Sequence, residues 1–562
     1  MNLTPAIDTP KRTTWQRAGD YVLSLLPDPE DYAAAPRTWR GDLLAGLTVG
    51  IVALPLALGF GVSSGLSAEA GLITAIVAGF IAAVFGGSNV QVSGPTGAMV
   101  VVLVPIVATH GVGGIAAVSL MAGLMVLTAG ALKLGRAISF IPWPVIEGFT
   151  LGIAVIIFMQ QVPLVTSPHT AAAGEHSANA IIAAGQSIAA ADWGYLAWAL
   201  GAVAIVAACM LIAPRIHRSL PGSLIGIIIV TVLLIVVPAP LARIGALPSS
   251  LPMPSLPALS PESISVLLLP AFTVAALAAI ESLLSARVAA SLADTGPFDP
   301  DRELVGQGLA SVGSSLFGGM PATGAIARTA VSVRAGAQTR IAAVFHAVVL
   351  LAVVLVASDL VGAIPLAALA GVLMMTAVRM VHTGTVRSIM RSTRSDAVAF
   401  ALTAVITVSF DLIIAVLIGV VLAGIFTIRN LSRTTDVQRE PIIGHNQPGD
   451  ERIAIIRFNG PLFFAAADRV ADKIGTLKEV SVVILRLSEL EHVDATGARV
   501  LSEIVTTLER RDITVLIKGI QAGHEDLFRT VGVLAALRHD NHLFTELPAA
   551  IEHARSHVRE RD

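Results

Sequence analysis

Cysteine is almost absent from this 562-residue chain: Cys209 stands alone, which excludes an intramolecular disulfide. Its place in the apolar run Leu196 to Ala213 reads as that of a small buried hydrophobe. Charge is scarce as well, at 14% of residues against roughly 25% in an ordinary soluble domain. A formal net charge of -2, with arginines scattered in short loops instead of gathered on one face, excludes a nucleic-acid partner. The first 40 residues are polar and punctuated by proline, without the apolar core of a signal peptide, so they are expected to stay in the cytosol. There is no P-loop, no zinc-ligand spacing and no nucleophile elbow, so no enzyme activity, cofactor or metal is expected. His346 and His382 lack ligand partners nearby in sequence and read as satisfied core or interface histidines.

Hydrophobic residues, in contrast, make up 54% of the chain. Apolar runs of about 20 residues, the length that spans a bilayer as a helix, recur from Asp42 to Asn430. About fourteen segments are predicted. Eleven start near Leu43, Ala70, Ile115, Val145, Leu196, Leu224, Val266, Ile341, Leu366, Ala397 and Leu412. Three more are shorter or broken: residues 90–106, 322–334 and Leu304 to Phe317. Ala178 to Ala191 reads as an interfacial piece, and Asp411 as a turn between the last two spans. With the N-terminus inside, Arg37, Lys133, Arg215, Arg287, Arg334, Arg387 and Arg429 all fall on the predicted cytoplasmic side, and only Arg243 falls outside. An odd segment count would have put half of the arginines outside.

Composition changes near Arg429, where a charged linker (Arg433 to Gly449) leads into a mixed soluble stretch. Ile453 to Phe458, Val480 to Leu487 and Ile513 to Ile517 read as strands, with helical patterns at Ala465 to Leu477, Thr496 to Arg511 and Glu525 to Val531. Alternation of this kind predicts a small α/β sheet. The expected division is a cytoplasmic segment 1–41, a membrane domain 42–430, a linker 431–451 and a soluble domain 452–562.

Two short segments about 230 positions apart look like one motif written twice: GGSNVQVSGPTGAMVVV from Gly86 and GGMPATGAIARTAVSV from Gly318. Each interrupts the helical pattern at mid-membrane depth through Gly, Pro and Thr-Gly-Ala. The peptide groups freed there cannot face lipid, where an unsatisfied group costs several kcal/mol, so they must line a site enclosed by protein. Such paired interruptions in two halves of a hydrophobic chain point to the binding site of a secondary transporter.

The run AGLTVGIVALPLALGFGVSSGL, the GPTGA segment, AAIESLLSARVAASLADTG and SLFGGMPATGAIARTAVSVRAGA together closely resemble the SulP anion permeases, bacterial relatives of the sulfate and anion exchanger family. HVDATGARVLSEIV is similar to the C-terminal STAS domain of the same proteins. The resemblance covers nearly the whole chain. It implies a polytopic α-helical fold of two inverted repeats of seven segments, about 42–237 and 262–430, split into core and gate domains and followed by a soluble α/β STAS domain. It also implies a homodimer in the plasma membrane, with N-terminus and STAS domain cytoplasmic. The third and tenth segments would be short strands followed by half-helices, whose N-termini favour an anion without a permanent counter-charge.

On this reading the backbone amides of Thr96, Gly97 and Ala98 and of Thr323, Gly324, Ala325 and Ile326 face the anion; plain packing through small residues is the alternative. Phe60 matches the family's aromatic beside the anion, with an ordinary core or lipid-facing Phe as the alternative. Arg328 would supply positive field, or instead pair with Glu281 or snorkel to an interface. Glu281, set in an apolar helix, is the candidate proton-coupling group, because a lone carboxylate there is costly to hold as an anion. Sodium-coupled members of the family carry Asp here and Thr one turn later; Glu281 and Ser285 lean the expectation from sodium to protons. Glu147 reads as structural or gating, and Asp42 as an interfacial cap. In the STAS stretch Asp494 and Thr496 read as helix-capping residues, with phosphorylation of Thr496 the weaker possibility.

Energy for such a protein must come from a gradient. The leading expectation is proton-coupled symport of bicarbonate, sulfate or a C4-dicarboxylate such as fumarate. An uncoupled anion channel or exchanger, a nucleobase permease of the same general fold, and a sensor signalling through the STAS domain to a cytosolic partner are the alternatives.

Overall fold

Apolar length decides the first part of the chain. In the computed structural model, which describes residues 21, 23–136, 142–167, 179–217, 220–257, 260–292, 295–296, 298–409, 412–434, 436–442, 447–467, 470 and 479–561, contacts divide the chain into two units, Met1–Val420 and Val421–Asp562. The first unit opens with α1 (Ala35–Ser63), α2 (Ala68–Phe85), the short strand β1 (Ser93–Gly94) and α3 (Gly97–Ala131). Next come α4 (Trp143–Thr166), α5 (Ala180–Ala189), α6 (Trp193–Ile216) and α7 (Gly222–Val236). A second set follows: α8 (Pro261–Leu292), α9 (Pro300–Leu316), β2 (Thr323–Gly324), α10 (Ile326–Arg334), α11 (Ile341–Gly362), α12 (Leu366–Met380), α13 (Thr383–Arg391), α14 (Arg394–Ser409) and α15 (Leu412–Thr434). Eight of these helices are long and apolar enough to cross a membrane, α12 and α13 counting as one.

Helix α3 is two segments, because Gly111 breaks it at φ 72°. With that bend, with β1 and β2 joined to the half-helices after them, and without the short α5 and α13, the described residues supply seven segments in each set. The architecture is that of two inverted repeats of seven. Helices α1 to α3 pack mainly with α8 to α11 as a core, while α4, α6, α7, α12 and α14 form the gate.

Lipid tails are as apolar as leucine, so close backbone approach does what the hydrophobic effect cannot. A β-carbon on Gly46 of α1 would stand 2.5 Å from the Ala342 carbonyl of α11, and one on Gly123 of α3 would stand 2.8 Å from the Gly308 carbonyl of α9. Three sequence expectations change here. Leu304 to Phe317 is no apolar span: α9 buries Glu303, Gln307, Ser311 and Ser314 at the heart of the core. Asp42 is no cap of its own helix: it is fully buried inside α1, where Oδ1 accepts from the Gln338 and Thr339 N–H groups at 2.7 and 3.0 Å. It anchors the turn that leads into α11, almost 300 residues away. His346 is buried, yet among the described residues neither ring nitrogen has a hydrogen-bond partner. His382 precedes α13 as its N-cap without a side-chain bond, and Asp411 lies outside the described residues.

The second unit carries β3 (Asp436–Glu440), β4 (Ile453–Leu462), β5 (Val482–Val493), α16 (Ala495–Arg510), β6 (Thr514–Lys518), α17 (Ala522–Val531), β7 (Leu543–Phe544) and α18 (Leu547–Arg559). The sheet runs in chain order, β3 antiparallel and the rest parallel. Val483, Leu485 and Val515 bury against Leu501, Val505 and Leu508 of α16. Ile453, Ile455 and Ile484 point the other way, onto Ala550, Ile551 and Ala554 of α18. Such two-sided burial requires near-continuous apolar strands. The charged linker Arg433 to Gly449 contains β3, a polar edge strand whose Val437 alone is buried. Most of the predicted helix Ala465 to Leu477 lies outside the described residues.

Candidate functional site

Pro95 and Pro321 lack an N–H and push the residue before them out of helical geometry, so both motif segments enter the core extended. The two extended pieces pair antiparallel, Ser93 opposite Gly324 and Gly94 opposite Thr323. Thr96 then caps α3, its side chain accepting from the Met99 N–H at 3.5 Å, and Ala325 precedes α10. The N–H groups of Gly97 and Ala98, and of Ile326 and Ala327, come before the first intrahelical bond of their helices. Two positive helix ends therefore meet at one place in the membrane core. That arrangement suits an anion.

Glu281 of α8 ties the halves together. Its Oε2 accepts from the Thr96 hydroxyl at 2.8 Å and from the Thr323 hydroxyl at 2.9 Å. Because both donors converge on one oxygen, Oε1 is left to gain or lose a proton without breaking the clamp. The alternative pairing with Arg328 is not formed: among the described residues no ion pair joins the two, and Arg328 Nη2 donates to the Pro95 carbonyl at 2.5 Å. Arg328 is only 2% exposed, and its Nη1 has no hydrogen-bond partner among the described residues. It lies behind β1, within reach of the site as a charge.

Close approach explains the glycines. A β-carbon at Gly97 would lie 2.2 Å from Ile157 Cδ1 of the gate helix α4 and 3.3 Å from Phe60 Cε1 of α1. Phe60 thus covers the start of the first half-helix, buried, where core meets gate. Ala98 and Ala325 are buried, and Ile326 is 36% exposed at the start of the second half-helix. At Gly324 a β-carbon would stand 1.7 Å from Gln91 Nε2. Ser285 is brought to α10, not to Glu281: its hydroxyl meets Thr329 Oγ1 at 3.3 Å. Glu147 is half-buried and accepts from the Trp143 indole at 3.1 Å.

Within the sulfate permease family model this chain matches over residues 39–403, and it matches the STAS domain over 446–550. The chain belongs to the sulfate permease family. The Bacillus subtilis protein YvdB, a sulfate transporter by name, is 34% identical over 88% of this chain and 94% of its own. The bicarbonate transporter BicA of Picosynechococcus sp. is 30% identical, over 86% of this chain and 89% of its own. The solved transmembrane domain of a cyanobacterial BicA superposes with a TM-score of 0.59, covering 69% of this chain and 98% of that one. The murine anion transporter Slc26a9, in its inward-facing state, shares the fold with a TM-score of 0.81 at 15% identity, over 98% of this chain and 96% of that one.

Behind the family's paired strands lies a polar network that sequence reasoning missed. Ser282 Oγ accepts from the Gly324 N–H at 3.0 Å, and Thr329 Oγ1 accepts from the Val92 N–H at 3.0 Å. Glu303 accepts from Gln91 and Gln307 through Oε1, both at 2.9 Å, and from the Gly87 N–H through Oε2 at 2.9 Å. Gln91 and Gln307, polar residues in otherwise small or apolar surroundings, were the available signal.

In the STAS unit Asp494 is the cap of α16, accepting from the Gly497 N–H at 2.7 Å and the Phe464 N–H at 3.2 Å. Thr496 is not a cap; it sits exposed in the first turn. The reading of no metal-ligand spacing needs correction. His553 and His557 lie one turn apart on α18 and face His542, the three offering ligand atoms within 4.8 Å of one another. A His-x-x-x-His pattern near the C-terminus was the sequence signal. Burial first, then its neighbouring histidines, pushes the His542 ring down to about 4.

Proposed function

We propose that this protein is a secondary active transporter of a small anion, bicarbonate, sulfate or a C4-dicarboxylate such as fumarate, driven by proton symport through alternating access of core against gate. The supporting observation is the single carboxylate oxygen of Glu281, which holds the threonines of both half-helix motifs. An anion seated on the N–H groups of Gly97, Ala98 and Ile326, under Phe60, lies beside a group able to carry one proton. Arg328 adds positive field from behind the strands. Names of relatives, sulfate transporter and bicarbonate transporter, agree with a small oxyanion as substrate. A membrane potential negative inside opposes anion influx by about 2.3 kcal/mol per charge per 100 mV, so a coupled cation is needed for accumulation. The proposal takes the protein as a homodimer of the cell membrane, N-terminus and STAS domain in the cytoplasm.

Uptake of labelled bicarbonate, sulfate and fumarate into proteoliposomes, under separately imposed proton and sodium gradients, tests this reading. Accumulation of one of them driven by protons is expected. Equilibration without accumulation would mean a channel or exchanger, and no flux at all would leave a sensor.

A further inference from the structure

We infer that His542, His553 and His557 form a binding site for a Zn(II)-class transition metal, one that ties the C-terminal helix to the edge of the STAS sheet. His542 ends the short turn Asp540–His542 leading into β7, while His553 and His557 project one turn apart from α18. Residues four apart share a helix face, the spacing with which paired histidines grip one metal ion. The ring centroids stand 5.5 Å apart for His542 and His553, 5.4 Å for His542 and His557, and 4.9 Å for His553 and His557. Their ligand atoms already lie within 4.8 Å of one another. Zn–N bonds of about 2.0–2.1 Å in tetrahedral geometry need these atoms about 3.4 Å apart, so small side-chain rotations close the site.

Four of the six ring nitrogens are orphaned. Both nitrogens of His542 and the Nε2 atoms of His553 and His557 are buried without a hydrogen-bond partner among the described residues. A buried polar group left unpaired is costly, and one cation satisfies three of these together. Glu560 approaches His557 Nδ1 to 3.9 Å, on the outer side of that ring, as a carboxylate that orients a ligating imidazole would. The exposed His539 stands edge-on to His542 at 5.3 Å. With no cysteine in this unit, an all-imidazole set suits Zn(II), Cu(II), Ni(II) or Co(II) in preference to softer ions.

Co(II), whose tetrahedral complexes are coloured, is the probe. Full-length protein, purified and treated with a chelator, is titrated with Co(II) and then with Zn(II), and amide exchange is followed over residues 540–559. One Co(II) per chain with a tetrahedral spectrum, displaced by Zn(II), is expected, together with slower exchange in α18. The variants His553→Gln and His557→Gln should each weaken binding by about 100-fold or more, while His382→Ala, far away in sequence and exposed, should bind as the parent does. Absence of the tetrahedral spectrum, or equal binding by the folded Gln variants, overturns the inference.

Discussion

Replacing Glu281 by Gln separates coupling from architecture. Gln keeps one oxygen where Oε2 stands, so it still accepts from Thr96 and Thr323, now at 2.8 and 2.9 Å; what it loses is the ability to exchange a proton. Glu281→Ala is the contrast. Thr323 can fall back on the Gly324 carbonyl at 3.1 Å, but Thr96 loses its acceptor, a cost of about 1–3 kcal/mol. With one proton per anion, each pH unit of gradient supports tenfold accumulation, since one unit is about 1.36 kcal/mol. Proteoliposomes with voltage clamped at zero and an inward gradient of two pH units should therefore drive labelled anion in up to about 100-fold by the parent protein. The Gln variant should bind the anion with affinity near the parent's, exchange it passively, and accumulate none. The Ala variant should in addition unfold at lower temperature. Undiminished proton-driven accumulation by Glu281→Gln would refute the assignment of coupling to this group.

Gly97→Ala should already overpack the site, since its new β-carbon falls 2.2 Å from Ile157 Cδ1; a cost of about 1–3 kcal/mol and a matching loss of anion affinity in binding titrations are expected. Arg328→Gln should lower anion affinity by about tenfold through loss of positive field, while proton dependence of uptake survives. Asp42→Asn should weaken the turn leading into α11 by about 2–3 kcal/mol, read as a lower thermal midpoint, because the carboxylate receives the Gln338 and Thr339 N–H groups there. In the STAS unit, with chelator present, the folded pKa of His542 near 4 lies below its unfolded value near 6.5. The unfolded state binds the extra proton, so stability is full above about pH 6.5 and falls as pH drops towards 4, with His539, His553, His557 and Glu560 as the neighbouring groups. Amide exchange over α18 between pH 7 and 5 measures this, and protection that holds or rises on acidification would contradict it.

How much of this was legible in the sequence follows from what sequence patterns encode. Long apolar runs report the membrane segments directly, and Gly-Pro-Thr-Gly-Ala reports where helix cannot continue. Pairing between the motifs is different. That Gly94 sits opposite Thr323, and that Glu281 reaches both Thr96 and Thr323, depends on three distant segments packing, for which no local period exists. The same holds for Asp42, whose partners lie almost 300 residues away. Ser285 was grouped with Glu281 by the family resemblance, but the fold turns its hydroxyl to a different neighbour, Thr329. In the STAS unit β3 escaped because an edge strand buries only one residue, Val437, and reads as linker. His553 and His557 were visible as a spaced pair, and what completes them, His542, comes from a turn before β7.

The central claim is that the two half-helix starts form one anion site. A density map of the purified protein with a heavier analogue of the transported anion, such as selenate for sulfate, tests it most directly. Density bridging the Gly97 and Ala98 N–H groups on one side and Ile326 on the other, beneath Phe60, is the predicted result. Density elsewhere, with this crevice filled only by water, would contradict it.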